Sequence, residues 1–153
     1  MKTISRLATS MTFGAIALAG IDRSAMAEWT YDTVPGMACK AAGKGTADGI
    51  VTSTAGITNV TATPASVLCP VVRTIAVPSI GYRVYVNGQG LLNACRLYSH
   101  ANTGGVLAVQ LMAGSEHKVT SVLAPEHVPG ESSQVVQCAL VPGGWIYSLE
   151  FVQ

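Results

Sequence analysis

Four cysteines, Cys39, Cys69, Cys95 and Cys138, all lie downstream of an N-terminal segment laid out like an export signal. That combination constrains the chain more than any other feature. An even number of cysteines in an exported chain reads as two disulfides. The segment opens on the basic Met1-Lys2-Thr3-Ile4-Ser5-Arg6 and runs through an uncharged, Ala-rich stretch over 7–20. It ends on Ala25-Met26-Ala27, with small residues at the −3 and −1 positions of a cleavage site before Glu28. This is the layout of a secretory signal peptide. Its apolar stretch is shorter than the roughly 20 residues a membrane-spanning helix needs. The expected organisation is therefore a signal peptide over 1–27 and a single domain over 28–153, secreted or periplasmic, with no membrane span after cleavage.

Charge is sparse. The chain has 153 residues, with 9 Lys+Arg and 8 Asp+Glu, so 11% are charged, against about 25% in an average soluble domain. Without residues 1–27 the balance becomes six basic and seven acidic residues in 126. So few cations exclude a phosphate-tracking surface, and no nucleic-acid partner is expected. The 49% hydrophobic content argues against disorder.

After residue 27 no helical period of useful length is present. The best helical candidate, 37–44, is short and closed by Gly43 and Gly45. The rest reads as short runs rich in Val, Thr, Ile and Tyr, over 49–53, 57–63, 67–72, 82–87, 91–99, 106–112, 118–123, 133–141 and 145–152. Turn residues punctuate them, among them Asn87-Gly88, Thr103-Gly104-Gly105, Pro129-Gly130 and Pro142-Gly143-Gly144. The expected fold is an all-β antiparallel sandwich, jelly-roll or Ig-like, of eight or nine short strands with two disulfides.

Asn87-Gly88 predicts a hairpin between 82–87 and 91–99. Alternation then puts Tyr82, Val84 and Val86 inside with Leu91, Asn93, Cys95 and Leu97, and turns Arg83, Tyr85, Arg96 and Tyr98 outward together. In 145–152 the same rule puts Trp145, Tyr147, Leu149 and Phe151 on one face. Cys95-Arg96-Leu97 and Cys138-Ala139-Leu140 share a Cys-x-Leu alternation, which favours a Cys95–Cys138 bond between two strands and leaves Cys39 for Cys69. Closing these loops stabilises the fold by about 3.5–4 kcal/mol each in the chain-entropy account.

The run Cys69-Pro70-Val71-Val72-Arg73, followed by Arg83-Val84-Tyr85-Val86, Cys95-Arg96-Leu97 and Cys138-Ala139-Leu140, resembles a set of small exported bacterial proteins. These share a C-P-[VI]-x-R motif and later C-x-L segments. The resemblance spans about 36–151 and implies an exported β-sandwich. It carries no catalytic residues across.

Motifs for chemistry are thin. His100, His117 and His127 with Asp32 and Asp48 supply raw material for a hydrolytic triad, but no G-x-S-x-G is present. No H-E-x-x-H occurs, and the acidic residues are too scattered for calcium, so no metal and no cofactor are expected. Ala42-Gly43-Lys44-Gly45-Thr46 lacks the P-loop spacing. The outward Arg83, Tyr85, Arg96 and Tyr98 combine guanidinium and aromatic groups suited to a sugar or a protein surface. They point to a non-catalytic binding or adhesion module, or a component of an envelope or extracellular matrix, whose partner is carbohydrate or another envelope or extracellular protein. A self-assembling surface or filament subunit is the alternative, with Glu28-Trp29-Thr30-Tyr31 adding as a strand to a neighbour. A small secreted hydrolase is the second alternative. Peptide mapping without reduction is expected to recover the 39–69 and 95–138 links; a 39–95 or 69–95 link would contradict this pairing.

Overall fold

The computed structural model describes residues 31–43, 47–73, 82–91 and 93–153. The expected signal peptide over 1–27 lies outside them, as do Glu28, Trp29 and Thr30. Among the described residues twelve strands form: β1 (Tyr31–Pro35), β2 (Lys40–Ala41), β3 (Ile50–Ser53), β4 (Gly56–Asn59), β5 (Ala65–Pro70), β6 (Tyr82–Gln89), β7 (Cys95–Ala101), β8 (Val106–Leu111), β9 (Ala113–Gly114), β10 (Lys118–Leu123), β11 (Ser132–Leu140) and β12 (Trp145–Val152). That is more than the eight or nine expected, because β1, β2 and β9 are short pieces without a strong alternating signal. The helical candidate over 37–44 is not a helix. Gly36–Ala38 makes a single 3-10 turn and Lys40–Ala41 pairs as a strand. Among the described residues no helix is long and apolar enough to cross a membrane.

The strands build two antiparallel sheets. One runs β3-β4-β12-β6-β10-β9, with β1 also paired to β12; the other runs β2-β5-β11-β7-β8. The pairs β4/β12, β5/β11, β6/β10 and β7/β8 nest one inside the next along the chain, alternating between the sheets. This nesting is the jelly-roll arrangement of two interleaved Greek keys. Both disulfides form, Cys39–Cys69 and Cys95–Cys138. Each lies within the five-stranded sheet. Cys95 faces Cys138 across β7 and β11, and Cys39 leads into β2, whose Lys40 faces Leu68 of β5.

The hairpin expected over 82–87 and 91–99 does not form. β6 belongs to the seven-stranded sheet and β7 to the five-stranded one, so after Gln89 the chain crosses between sheets. Asn87-Gly88 continues β6 instead of turning, and the left-handed positions fall later, at Gly90 (φ 70°) and Asn93 (φ 56°). Gly88 has a different purpose: a Cβ there would meet the Trp145 carbonyl oxygen at 2.0 Å. β12 passes this close because it bulges. Its register against β6 slips between Ile146 and Ser148, leaving Tyr147 as the extra residue. A one-residue insertion reverses the facing of everything beyond it. Ile146, Leu149 and Phe151 are therefore buried, and Tyr147 is 45% exposed instead of joining Leu149 and Phe151 in the core.

The core between the sheets centres on Tyr82, Val84, Val86, Leu97, Val136, Leu149 and Phe151, all fully buried. The rings of Tyr82 and Phe151 lie nearly parallel with centroids 6.1 Å apart. The Tyr82 hydroxyl donates to the Val72 carbonyl. Arg73, the last residue of the C-P-V-V-R run, clamps the loop before β11. Its Nη1 donates to the carbonyls of Val128 (3.2 Å) and Pro129 (2.9 Å) and to Ser132 Oγ (3.2 Å), and its Nη2 to the Gly130 carbonyl (2.6 Å). The motif arginine is thus committed to the fold. Buried Asn59 closes the turns at the far end, donating to the Leu140 and Thr63 carbonyls at 2.8 Å each.

Two outcomes follow from this packing. β12 pairs with β1, β4 and β6 and supplies Ile146, Leu149 and Phe151 to the core. A chain ending after Gly144 is therefore expected to show no cooperative melt; a sharp thermal transition in that truncate would contradict the role of β12. Burial pushes the Tyr82 phenol well above its ordinary value of 10.0; the Asp32 charge adds to the shift and Arg73 opposes it. The folded state thus favours the neutral phenol, so its stabilisation is complete below pH 10 and is lost as pH rises above that value. Tyr82→Phe is expected to flatten the fall in chemical-denaturation midpoint above pH 10, and an unchanged alkaline slope would refute the assignment.

Candidate functional site

The two sheets carry different outer faces, and the four candidate residues are divided between them. Cross-strand partners share a face, and so do residues two apart. On the seven-stranded sheet the outward positions of β6 include Arg83, Tyr85 and Asn87, beside Lys118 and Thr120 of β10 and Ser148 and Glu150 of β12. On the five-stranded sheet Arg96 and Tyr98 of β7 face outward beside Gln137 and Val135 of β11. The expectation that Arg83, Tyr85, Arg96 and Tyr98 form one patch is therefore corrected: Arg83 and Tyr85 are on the opposite side of the sandwich from Arg96 and Tyr98. The cause is the missing hairpin, since a crossover between sheets separates what a turn would have kept together.

On the seven-stranded sheet the polar groups around Tyr85 satisfy one another, whereas the buried Trp145 Nε1 at the bulge has no hydrogen-bond partner among the described residues. Lys118 Nζ lies 3.0 Å from Glu150 Oε2 and 4.5 Å from the centroid of the Tyr85 ring. Asn87 Nδ2 donates to Glu150 Oε1 at 2.7 Å and to Ser148 Oγ at 3.2 Å. Arg83 Nη1 reaches the Tyr85 hydroxyl at 3.4 Å. A ligand here would first have to break contacts that already exist. Trp145 and Tyr147 extend this face at the bulge, with ring centroids 5.8 Å apart.

The five-stranded sheet presents a groove of about 330 Å³. Small residues, Ser66, Ala94 and Ala139, make its floor, and Asn93, Arg96, Tyr98 and Gln137 its walls. Register explains the shape. Ser66 faces Ala139 across β5 and β11, so two short side chains sit beside the tall Gln137 and Arg96, which face each other across β11 and β7. Asn93, in its left-handed turn, closes one end. Tyr98 is half-buried, and its ring lies nearly parallel to that of His100, with centroids 6.0 Å apart. Among the described residues, the side chains of Asn93, Arg96 and Gln137 have no hydrogen-bond or ion-pair partner within the protein. A second hollow of about 420 Å³ continues on the same face over Leu68, Pro70 and Val135, with Lys40 and Ala41 at its border. The geometry offers an aromatic face, three polar side chains with free donors, and a shallow trough open to solvent.

The remaining candidates are dispersed. His100 lies on β7, His117 between β9 and β10, and His127 in the 3-10 turn Pro125–His127. Among the described residues no three His, Cys, Asp or Glu side chains are grouped to hold a metal ion. Tyr31 begins β1, which pairs with β12 of the same chain; the rest of the 28–31 segment lies outside the described residues. Sequence reasoning put Asn93 on the core face, but it precedes β7 in a left-handed turn and is exposed; it missed Gln137, Ser66, Ala139 and Lys40. The signal existed: a Cys95–Cys138 bond between adjacent strands already places Arg96 opposite Gln137.

No protein-family profile matches the chain, and no curated protein matches it in sequence. Among solved structures it is similar to the xylan-binding module CBM15, at 13% identity and a TM-score of 0.46, covering 80% of this chain and 95% of that one. It is also similar to a carbohydrate-binding module CBM36 in complex with calcium and xylotriose, at 12% identity and a TM-score of 0.40, covering 78% and 98%. A third is TmCBM61 in complex with β-1,4-galactotriose, at 13% identity and a TM-score of 0.40, covering 82% and 88%.

Proposed function

We propose that this chain is an exported, non-catalytic carbohydrate-binding module whose site is the groove on the five-stranded sheet. One observation carries the reading. Arg96, Gln137 and Asn93 surround a floor of Ser66, Ala94 and Ala139 without internal partners, beside the half-buried ring of Tyr98. A pyranose has an apolar C–H face and a rim of hydroxyls. Tyr98 suits the first, and amide and guanidinium groups suit the second, since each offers several donors in fixed geometry. The opposite face lacks this availability because Lys118, Glu150, Asn87 and Tyr85 are already engaged with one another. Two disulfides are the staples expected of a small domain working outside the cytoplasm.

The alternative of self-association is favoured by β8. It is the outermost strand of its sheet and has the uncharged sequence VLAVQL, with Val106, Val109 and Leu111 exposed. Such an edge lacks the charges or proline that usually block pairing between chains. Size-exclusion chromatography with light scattering distinguishes this reading, which requires a species larger than the monomer.

Titration calorimetry against a panel of soluble polysaccharides tests the binding reading. One or more are expected to bind, with Tyr98→Ala and Gln137→Ala each weakening affinity about tenfold, the scale of a lost stacking or hydrogen-bonding contact, and with Tyr85→Ala without effect. Binding by no polysaccharide, or loss of binding through Tyr85→Ala and not through Tyr98→Ala, would overturn it.

A further inference from the structure

We infer that the glycan taken by this groove is anionic, bearing carboxylate or sulfate groups along its chain; this rests on the carbohydrate-binding reading above. The observation is a row of side chains in register across the five-stranded sheet. Lys40 faces Leu68, Leu68 faces Gln137, Gln137 faces Arg96, and Arg96 faces Leu111. All five sit on the outer face, because the alternate residues Cys69, Cys95 and Cys138 are buried inside. Lys40 and Arg96 are three strands apart, about 14 Å at the usual strand spacing. One borders each of the two hollows.

Among the described residues neither cation has an ion-pair or hydrogen-bond partner for its side chain. The ion pair found among the described residues, Lys118–Glu150, is on the other sheet. The outward positions of β5, β7, β8 and β11 contain no Asp or Glu. Glu131 lies just before β11 and accepts a hydrogen bond from Asn102 Nδ2 at 2.7 Å. The face therefore holds positive charge without a counter-charge, in a chain where charge is sparse. At physiological salt, charges about 14 Å apart are largely screened from each other. Lys40 and Arg96 thus meet separate anionic groups, as along a polymer. The planar guanidinium of Arg96 matches a carboxylate or sulfate by two parallel N–H bonds. Between them lie Leu68, Gln137 and, one step along the strands, Val135 and Tyr98. This mixture of apolar, amide and aromatic surface fits a sugar chain. An acidic peptide would supply the charge without the ring faces.

The test uses the full chain, with titration calorimetry against polygalacturonate, its fully methyl-esterified form, a sulfated galactan and poly-glutamate. Binding to polygalacturonate or the sulfated galactan, with little to the ester and to poly-glutamate, is the expected result, and the acidic glycan that binds identifies the anionic group. Affinity should fall about tenfold between roughly 50 and 500 mM salt. Arg96→Gln and Lys40→Gln should each cost about fivefold at low salt with unchanged melting curves, while Lys118→Gln on the opposite face should have no effect. Equal binding of the ester and the acid would overturn the anionic assignment and leave the carbohydrate reading standing. Equal binding of poly-glutamate would replace it with an acidic protein partner. No binding to any of these, with binding to a neutral glycan in the wider panel, would again remove only the anionic assignment; no binding to any glycan at all would remove both.

Discussion

The pairing of β7 with β11, locked where Cys95 faces Cys138, is the constraint on which the rest of the surface depends. Side chains in a strand alternate between faces, so one fixed inward pair determines the direction of every other residue on both strands. With Cys95, Leu97, Val136 and Cys138 inside, Arg96, Tyr98, Val135, Gln137 and Ala139 have only the outer face available. The second disulfide does the same at the other edge, fixing Cys69 inward so that Leu68 and Lys40 turn out. A one-residue slip would bury Arg96 in the first pairing, or turn Lys40 and Leu68 inward in the second, and in either case expose a cystine. The covalent links therefore stabilise the fold and also fix the groove's register.

The other sheet is organised by packing in place of disulfides. β12 is its hub, and the bulge at Tyr147 lets that strand pair with β4 through Trp145 and Ile146 and with β1 through Ser148–Val152. Gly88 is the local requirement, because the backbone of β12 occupies the space a side chain would need. The outer face of this sheet then closes on itself through Lys118, Glu150, Asn87 and Tyr85. Around Tyr85 the polar groups of one face are engaged with one another, while among the described residues Asn93, Arg96 and Gln137 on the other face are not. This difference, more than composition or the mere presence of aromatics, is the ground for proposing the groove as the site.

Much of this was legible in the sequence. Short Val- and Thr-rich runs gave nine of the strands, and the Cys-x-Leu repeat gave both disulfides because it placed two cysteines on inward positions of neighbouring strands. The site was half legible. Arg96 and Tyr98 were recognisable as outward residues from the alternation around Cys95. Arg83 and Tyr85 were misplaced because Asn87-Gly88 has the chemistry of a tight turn, yet here serves a close approach between β6 and β12. A local turn preference is a tendency that a distant strand overrode. The inward facing of Tyr147 failed for a related reason, since a bulge leaves no mark in an alternating pattern. Lys40 was out of reach because β2 is two residues long and has no periodicity.

The most direct measurement is nuclear magnetic resonance mapping of the backbone amides during titration with an acidic oligosaccharide. The expected shifts cluster on Asn93, Ala94, Arg96, Gln137 and Ala139 and extend along the outer face towards Lys40 and Leu68. Shifts concentrated instead around Tyr85, Lys118 and Glu150, or scattered over both faces, would contradict the placement of the site on the five-stranded sheet.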